Sequence, residues 1–251
     1  MATLAVPRII AHRGAKANAP ENTLAAIRRA HAEGARWVEF DVKLTADSQP
    51  ILMHDETLDR TTDGAGPVRD RTLDEIRRLD AGAWFDPRFA GERVPTLAET
   101  LELLVALEMG FNLEVKPCRG RERETAEIAV ATVKRHWPAD APRPVISSFS
   151  VDSLQAARAA APELPRGYLV DRLPPDWRRQ AEMLGCAAVH PNARYMTEAT
   201  LRDIKAAGFA VLTWTVNEAA RAGELIAWGA DAVITDVPAV IADGLRAEAS
   251  A

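Results

Sequence analysis

The stretch Trp37-Val38-Glu39-Phe40-Asp41-Val42 alternates apolar and acidic residues with a period of two. That is the period of a β-strand, so Val38, Phe40 and Val42 share one face and Glu39 and Asp41 share the other. The stretch Leu113-Glu114-Val115-Lys116 repeats the arrangement, with Leu113 and Val115 on one face and Glu114 and Lys116 on the other. In a barrel the apolar face meets the surrounding helices, and the carboxylates then point into the lumen.

Working outward from these strands, short apolar runs alternate with helical patterns. Strands are predicted at Arg8–His12, Arg36–Leu44, Gly110–Lys116, Pro144–Phe149, Gly167–Val170, Ala187–Pro191, Phe209–Val216 and Ala232–Thr235. Amphipathic helices are predicted at Thr23–Glu33, Leu97–Met109, Thr125–His136, Val151–Ala160, Glu198–Ala207 and Glu218–Trp228. Pro20-Glu21-Asn22-Thr23, Ser150 and Asn217 read as helix starts, and Gly34, Gly208 and Gly229 as helix ends. This rhythm predicts an α/β fold, a TIM (β/α)8 barrel with a small insertion after strand 2, in one domain spanning residues 1–251. A doubly wound open sheet is the alternative, and no glycine-rich dinucleotide turn supports it. The segment after the second strand is too long for a simple loop, so residues 56–93 are expected to form an insertion capping the barrel mouth.

Of the 251 residues, 47% are hydrophobic and 27% charged, an ordinary globular balance. A net charge of −5 argues against a nucleic-acid partner but not against a small anionic substrate, because local cations can dominate a cleft. Cys118 and Cys186 form no CxxC pair, so two thiols in a reducing compartment are expected, with a single bridge as the alternative. The N-terminal stretch has no basic region ahead of its apolar residues, and no apolar run is long enough to span a bilayer. A cytoplasmic location without stable membrane association is expected.

Three acids aimed into one small volume repel each other and are penalised by burial. A hard divalent cation, Mg²⁺ or Ca²⁺, is the economical counter-charge for oxygen ligands, so Glu39, Asp41 and Glu114 are expected metal ligands. The alternative is that they are packing residues salt-bridged to Lys43 and Lys116. His12 ends the first strand, where barrels carry catalytic groups, and an imidazole is suited to moving protons. His190 ends the sixth strand and is read as a substrate-pocket residue or a cap, whereas His31 and His136 lie on helices and are read as ordinary polar residues. Arg13 and Lys116 supply positive charge for a phosphate or for the nearby acids. The turn-rich run Thr61–Pro67 lacks P-loop spacing, and Ser147-Ser148 lacks the GxSxG elbow of a nucleophilic serine.

Several motifs then align in order: His12-Arg13-Gly14, Pro20-Glu21-Asn22-Thr23, Glu39-x-Asp41, His54-Asp55 and Thr57-Leu58-Asp59-Arg60-Thr61-Thr62-x-Gly64. Pro95-Thr96-Leu97, Glu114-x-Lys116, Thr213-Trp214-Thr215-Val216-Asn217 and Thr235-Asp236-x-Pro238 complete the set. Together, from about residue 9 to residue 240, they resemble the bacterial glycerophosphodiester phosphodiesterases. The resemblance implies a TIM barrel that cleaves glycerophosphodiesters to sn-glycerol 3-phosphate and an alcohol with a divalent metal. It places the metal on Glu39, Asp41 and Glu114, acid–base catalysis on His12 and His54, phosphate contacts on Arg13 and Lys116, and the glycerol against Trp214. His54 lies past its strand, so its place in the site follows mainly from this resemblance. A lipid-cleaving barrel and an inactive scaffold barrel are the rival readings. The alcohol group and the oligomeric state are left open.

Overall fold

The computed structural model describes residues 4–249. The strands are β1 (Ile9–His12), β2 (Trp37–Leu44), β3 (Pro50–Leu52), β4 (Gly110–Val115), β5 (Val145–Ser148), β6 (Arg166–Val170), β7 (Ala188–Pro191), β8 (Ala210–Thr213) and β9 (Ala232–Thr235). Among the described residues, eight parallel strands pair in the order β1-β2-β4-β5-β6-β7-β8-β9, and β9 returns to β1 to close a TIM barrel. Strand β3 lies outside this ring, antiparallel to the far end of β2. The helices are α1 (Leu24–Ala32), α2 (Leu73–Ile76), α3 (Leu97–Ala106), α4 (Glu122–His136), α5 (Val151–Ala160), α6 (Trp177–Leu184), α7 (Glu198–Ala206), α8 (Ala219–Ala227) and α9 (Pro238–Ala249).

The period-two reading of β2 and β4 holds in three dimensions. Val38, Phe40, Val42, Leu113 and Val115 pack outward against Leu97 and Leu101 of α3 and Ala126 and Ala129 of α4. Each such side chain, fully removed from water, contributes about 1.5–3 kcal/mol. The opposite face turns into the lumen, where Ile10, Trp37, Leu212 and Ile234 form an apolar plug at the lower end. Register sets the depth of the polar residues above it: His12 stands opposite Glu39, and Asp41 stands opposite Glu114.

Helix starts follow the capping signals. Thr23 caps α1 by accepting from the Ala26 amide, and Thr96 forms a capping box with Glu99 at the start of α3. Asn217 does not open a helix; α8 is preceded by Glu218, and the Asn217 side chain bonds to Thr235 and Asp236 instead. Helices α6 and α9 were not expected from the sequence. Helix α6 buries Trp177, Ala181 and Leu184, a stripe at helical spacing set among Arg178, Arg179 and Glu182 that follows a proline pair. Helix α9 begins at Pro238, a residue suited to the first helical position.

The segment between β3 and α3 has a small core of its own, in which Leu58, Val68, Ile76 and Val94 pack against Ile51 and Met53. The Thr61–Pro67 run is a turn in this segment, stapled by the amide of Leu58 to the carbonyl of Gly66 and that of Val68 to Glu56. Cys118 and Cys186 are both free and buried, so the bridge does not form. Among the described residues, no helix is long and apolar enough to cross a membrane.

Gly167 on β6 is required by close approach, because a Cβ there would lie 2.4 Å from the His190 ring inside the barrel. Gly167→Ala should therefore destabilise the fold by about 1–3 kcal/mol through overpacking. Urea unfolding reads the loss, and an unchanged midpoint would show that the His190 ring can move aside.

Candidate active site

Glu39, Asp41 and Glu114 each offer one carboxylate oxygen, and these oxygens lie within 4.8 Å of one another in the buried upper lumen. Three negative charges at this spacing are partly offset by two cations. Arg13 Nε lies 3.1 Å from Asp41 Oδ2, and Lys116 Nζ lies 2.9 Å from Glu114 Oε1 and 3.5 Å from Asp41 Oδ1. Lys43 takes no part in these pairs; its ammonium is turned to the Lys116 carbonyl at 2.8 Å. Salt-bridged packing thus describes part of the cluster and leaves an excess of negative charge. Glu39 receives the backbone amide of Arg13 at 3.3 Å and has His12 Nε2 at 3.9 Å.

The electrostatics follow from that imbalance. Burial, then the charges of Asp41 and Glu114, push the Glu39 carboxyl well above its ordinary range. Burial and Asp41 likewise push Glu114 up to about 7. Burial would also raise Asp41, but Arg13 and Lys116 outweigh it and hold that carboxyl well below the usual range. Asp41 Oδ1 is buried without a hydrogen-bond partner, and the Arg13 Nε close to Asp41 is not aligned to donate. A buried, unsatisfied carboxylate oxygen within an all-oxygen trio of net negative charge suits a hard divalent cation. Glu39, Asp41 and Glu114 are the residues that could hold one.

The loop after β1 fixes Arg13 and Asp41 together. Arg13 and Asn22 take left-handed φ values of 53° and 56°, uncommon for residues with a side chain. That conformation lets the Asn22 amide nitrogen bond the Arg13 carbonyl at 3.1 Å. The Asn22 side chain then donates to Asp41 Oδ2 at 2.9 Å and accepts from the Asp41 backbone amide at 3.2 Å. Glu21 accepts from Arg13 Nη1 at 2.7 Å.

The two histidines reach the site by different routes and are held alike. His12 ends β1, and its Nδ1 lies 2.6 Å from Asp236 just beyond β9. Asp236 is in turn bonded at 2.8 Å by the Asn217 side chain. His54 follows β3, which folds back along β2 so that the Met53 amide donates to the Asp41 carbonyl at 3.0 Å. Its Nδ1 lies 2.6 Å from Asp55. In both rings the Nδ1 contact leaves Nε2 for chemistry. Burial lowers both imidazoles below their ordinary value, against the opposing hydrogen bond from Asp236 at His12 and the charge of Asp41 at His54.

His12, Arg13, Glu39, His54, Glu114 and Lys116 line one side of a cavity of about 210 Å³, with Phe149, Leu169, Trp214 and Ile234 on the other. Phe149 and Trp214 meet edge to face at 5.5 Å, and Lys116 Nζ lies 5.6 Å from the Phe149 ring centre. A larger cavity of about 400 Å³ opens at the opposite end of the barrel. Its Arg166 guanidinium is used on the carbonyls of Leu164 and Gly185, and none of the histidines or clustered carboxylates lines it. His190 is placed differently from the sequence expectation. Its ring is fully buried in the lumen against Gly167, outside the cavity lining, with neither ring nitrogen hydrogen-bonded among the described residues, and burial pushes its pKa down to about 3. Its carbonyl accepts the Trp214 indole N–H at 2.8 Å, so it meets the cavity through Trp214.

Glu21, Asn22, Asp55, Arg60, Asn217, Asp236 and Phe149 were given no site role by sequence reasoning. All but Phe149 lie in motifs quoted above, and only their contacts disclose what they hold. Asp236 shows this most directly. Burial would raise it, yet the hydrogen bonds to His12 and Asn217 hold it at about 2. Because that value lies below the unfolded aspartate value near 3.9, the group contributes stability at higher pH that is lost as pH falls through about 4 to 2. The difference corresponds to about 3 kcal/mol. Asp236→Asn should lower stability at pH 6 and flatten the acid limb of a urea-unfolding series; an identical acid limb would show that the pair contributes nothing.

With this geometry in hand, comparison with known proteins is specific. A model of the glycerophosphoryl diester phosphodiesterase family matches residues 12–240. The chain is 37% identical over 239 residues to a glycerophosphodiester phosphodiesterase of Caldanaerobacter subterraneus, covering 95% of this chain and 97% of that protein. It is 30% identical to one of Bacillus subtilis, covering 91% and 83%. Its fold superposes with a TM-score of 0.94 and 42% identity on an Oleispira antarctica phosphodiesterase solved with the product sn-glycerol-3-phosphate, covering 96% of this chain and 97% of that one. An Agrobacterium tumefaciens glycerophosphodiester phosphodiesterase gives a TM-score of 0.81 at 31% identity, covering 95% and 100%. The chain belongs to the glycerophosphoryl diester phosphodiesterase family of phosphoric diester hydrolases.

Proposed function

We propose that this protein hydrolyses water-soluble glycerophosphodiesters to sn-glycerol 3-phosphate and an alcohol in the cytoplasm. One observation carries the reading: two carboxylate-held imidazoles and two cations converge on one small cavity, beside a cluster of three buried carboxylates of which Glu39 and Glu114 line its wall. The product bound to the Oleispira antarctica relative supports the same substrate class. In this reading Glu39, Asp41 and Glu114 hold a divalent cation, Mg²⁺ or Ca²⁺. When bound, that cation supplies positive charge to the non-bridging phosphate oxygens. Residues 56–93 cap the barrel mouth.

The chain's own residues do the rest. The Arg13 guanidinium and the Lys116 ammonium neutralise the phosphate from two sides, already fixed by their acid partners. Trp214, anchored by the His190 carbonyl, packs against the glycerol carbons. His12 and His54 are neutral in the free enzyme near pH 7; the negative diester raises the imidazole beside the departing oxygen, which takes up a proton from solvent on binding, while the other stays neutral. One histidine takes the proton from the neighbouring glycerol hydroxyl as its oxygen bonds to phosphorus. The other gives a proton to the departing alcohol oxygen as the old phosphorus–oxygen bond breaks. Water then opens the resulting cyclic phosphate, with the two histidines exchanging roles. Each positioned acid or base contributes about 10²–10⁴-fold.

A panel of glycerophosphodiesters assayed for released glycerol 3-phosphate tests this. Chelation should abolish turnover and re-addition of Mg²⁺ or Ca²⁺ should restore it, while His12→Ala and His54→Ala each lower kcat by about 10²–10⁴-fold. Turnover that survives chelation or Glu114→Ala would sink the metal assignment. Faster cleavage of intact bilayer lipid than of glycerophosphocholine would reverse the substrate assignment.

A further inference from the structure

Arg60 belongs to the segment that follows β3, and its guanidinium grips two carboxylates at once. Nη1 and Nη2 reach the two oxygens of Glu21 at 2.8 Å each. Nε and Nη2 reach the two oxygens of Asp55 at 2.6 and 3.0 Å. Each carboxylate is also bonded to a residue that lines the cavity. Glu21 accepts from Arg13, and Asp55 Oδ1 lies 2.6 Å from His54 Nδ1. The continuous chain His54–Asp55–Arg60–Glu21–Arg13 therefore joins two residues of the charged wall, one before and one after β2, through a single side chain.

Isolated surface ion pairs contribute little, about 0–1 kcal/mol. This arrangement differs in being bidentate at both ends and in ending on Glu21, whose side chain is only 2% exposed. Arg60 is itself held by the fold of the insertion. Its neighbour Thr61 donates to the Met53 sulfur, and Thr62 donates to the Leu58 carbonyl within the small core.

We propose that Arg60 is a positioning residue through which the insertion sets the catalytic geometry, fixing His54 by way of Asp55 and supporting Arg13 by way of Glu21. The two ends depend on it unequally. Arg13 keeps its ion pair with Asp41 and its own bond to Glu21 when Arg60 is removed. Asp55 is more open, at 28% side-chain exposure, and its second oxygen is held by Arg60. Without Arg60 the Asp55 carboxylate is free to turn to water, and the His54 ring loses the partner that orients it. The loss should thus appear in the proton-transfer step more than in phosphate binding.

This inference rests on the proposed role of His54, and the test separates the two. Arg60→Gln, Arg60→Lys, Asp55→Asn, His54→Ala and the Arg60→Gln/Asp55→Asn double variant are assayed as metal-loaded full-length protein, with thermal unfolding as the control for folding. Arg60→Gln should lower kcat about 10–100-fold, the scale of a small misplacement of a catalytic group. KM should stay within about threefold. Arg60→Lys should fail to rescue, because an ammonium cannot bridge two carboxylates in the plane of a guanidinium. The double variant should be no slower than the slower single variant, as expected when two residues act through one contact. Full activity in Arg60→Gln, a loss confined to KM, rescue by lysine, or multiplying losses in the double variant would each overturn the proposal. Full activity in His54→Ala would remove the reading on which it rests, whereas an inactive His54→Ala beside a fully active Arg60→Gln would overturn the Arg60 role alone.

Discussion

The structure depends on a surplus of negative charge enclosed by a closed barrel. Glu39, Asp41 and Glu114 stand on two adjacent strands whose register puts Asp41 opposite Glu114, so their repulsion cannot be relieved by sliding one strand. A one-residue slip would turn the carboxylates into the helix layer and the apolar faces into the lumen. The outward packing of Val38, Phe40, Val42, Leu113 and Val115 therefore enforces a contact that the acids alone would refuse. Arg13 and Lys116 reduce the cost without removing it. The residual charge leaves Glu39 and Glu114 easy to protonate and ready to take a cation.

Around this charge the chain places its irregular backbone. Arg13 and Asn22, both with left-handed φ, form the loop that ties Arg13 to Asp41. Conformations of this kind cost about 1–3 kcal/mol each and persist where the surroundings over-determine them. Here the surroundings are the two-way bond between Asn22 and Asp41 and the Thr23 cap of α1. Buried polar atoms without partners occur in the same lumen on Arg13, Asp41, Asn112 and His190, and elsewhere on Glu33 and Thr213. Arg13 and Asn22 thus stand beside the acidic trio, while the other two left-handed residues with side chains, Ser48 and Glu108, lie in turns away from it.

Much of this was legible in the sequence because strand periodicity is local. Alternation alone placed Glu39, Asp41 and Glu114 on one face, and a strand-end position brought His12 beside them. His54 was not legible that way, since its approach depends on β3 pairing antiparallel with β2, and a three-residue strand leaves little periodic signal. Asp236 was invisible as a partner for another reason: an aspartate bonded to a histidine 224 positions away has the same local pattern as one facing water. His190 is a different case. A histidine ending a barrel strand reads as a pocket residue or a cap, and only the structure shows its ring buried in the lumen against Gly167 on the neighbouring strand. Helix α6 was missed although its Trp177, Ala181 and Leu184 stripe is regular, because the many charges between them masked it.

The cavity divides its duties by strand. Charged groups come from β1, β2, β4 and the segment after β3, and Phe149, Leu169, Trp214 and Ile234 come from the ends of β5, β6, β8 and β9. The charged half is cross-linked: His12 to Asp236, Asn22 to Asp41, Arg13 to Glu21, and Arg60 onward to His54 through Asp55. Changing one of these residues leaves a buried charge without its partner, so that half tolerates little variation. The apolar half is held by packing and by one indole hydrogen bond, and Phe149 stands 43% exposed at its rim. Shape there can change without unbalancing any charge. A barrel organised this way can keep the charged wall of its cavity fixed while the opposite wall varies in shape.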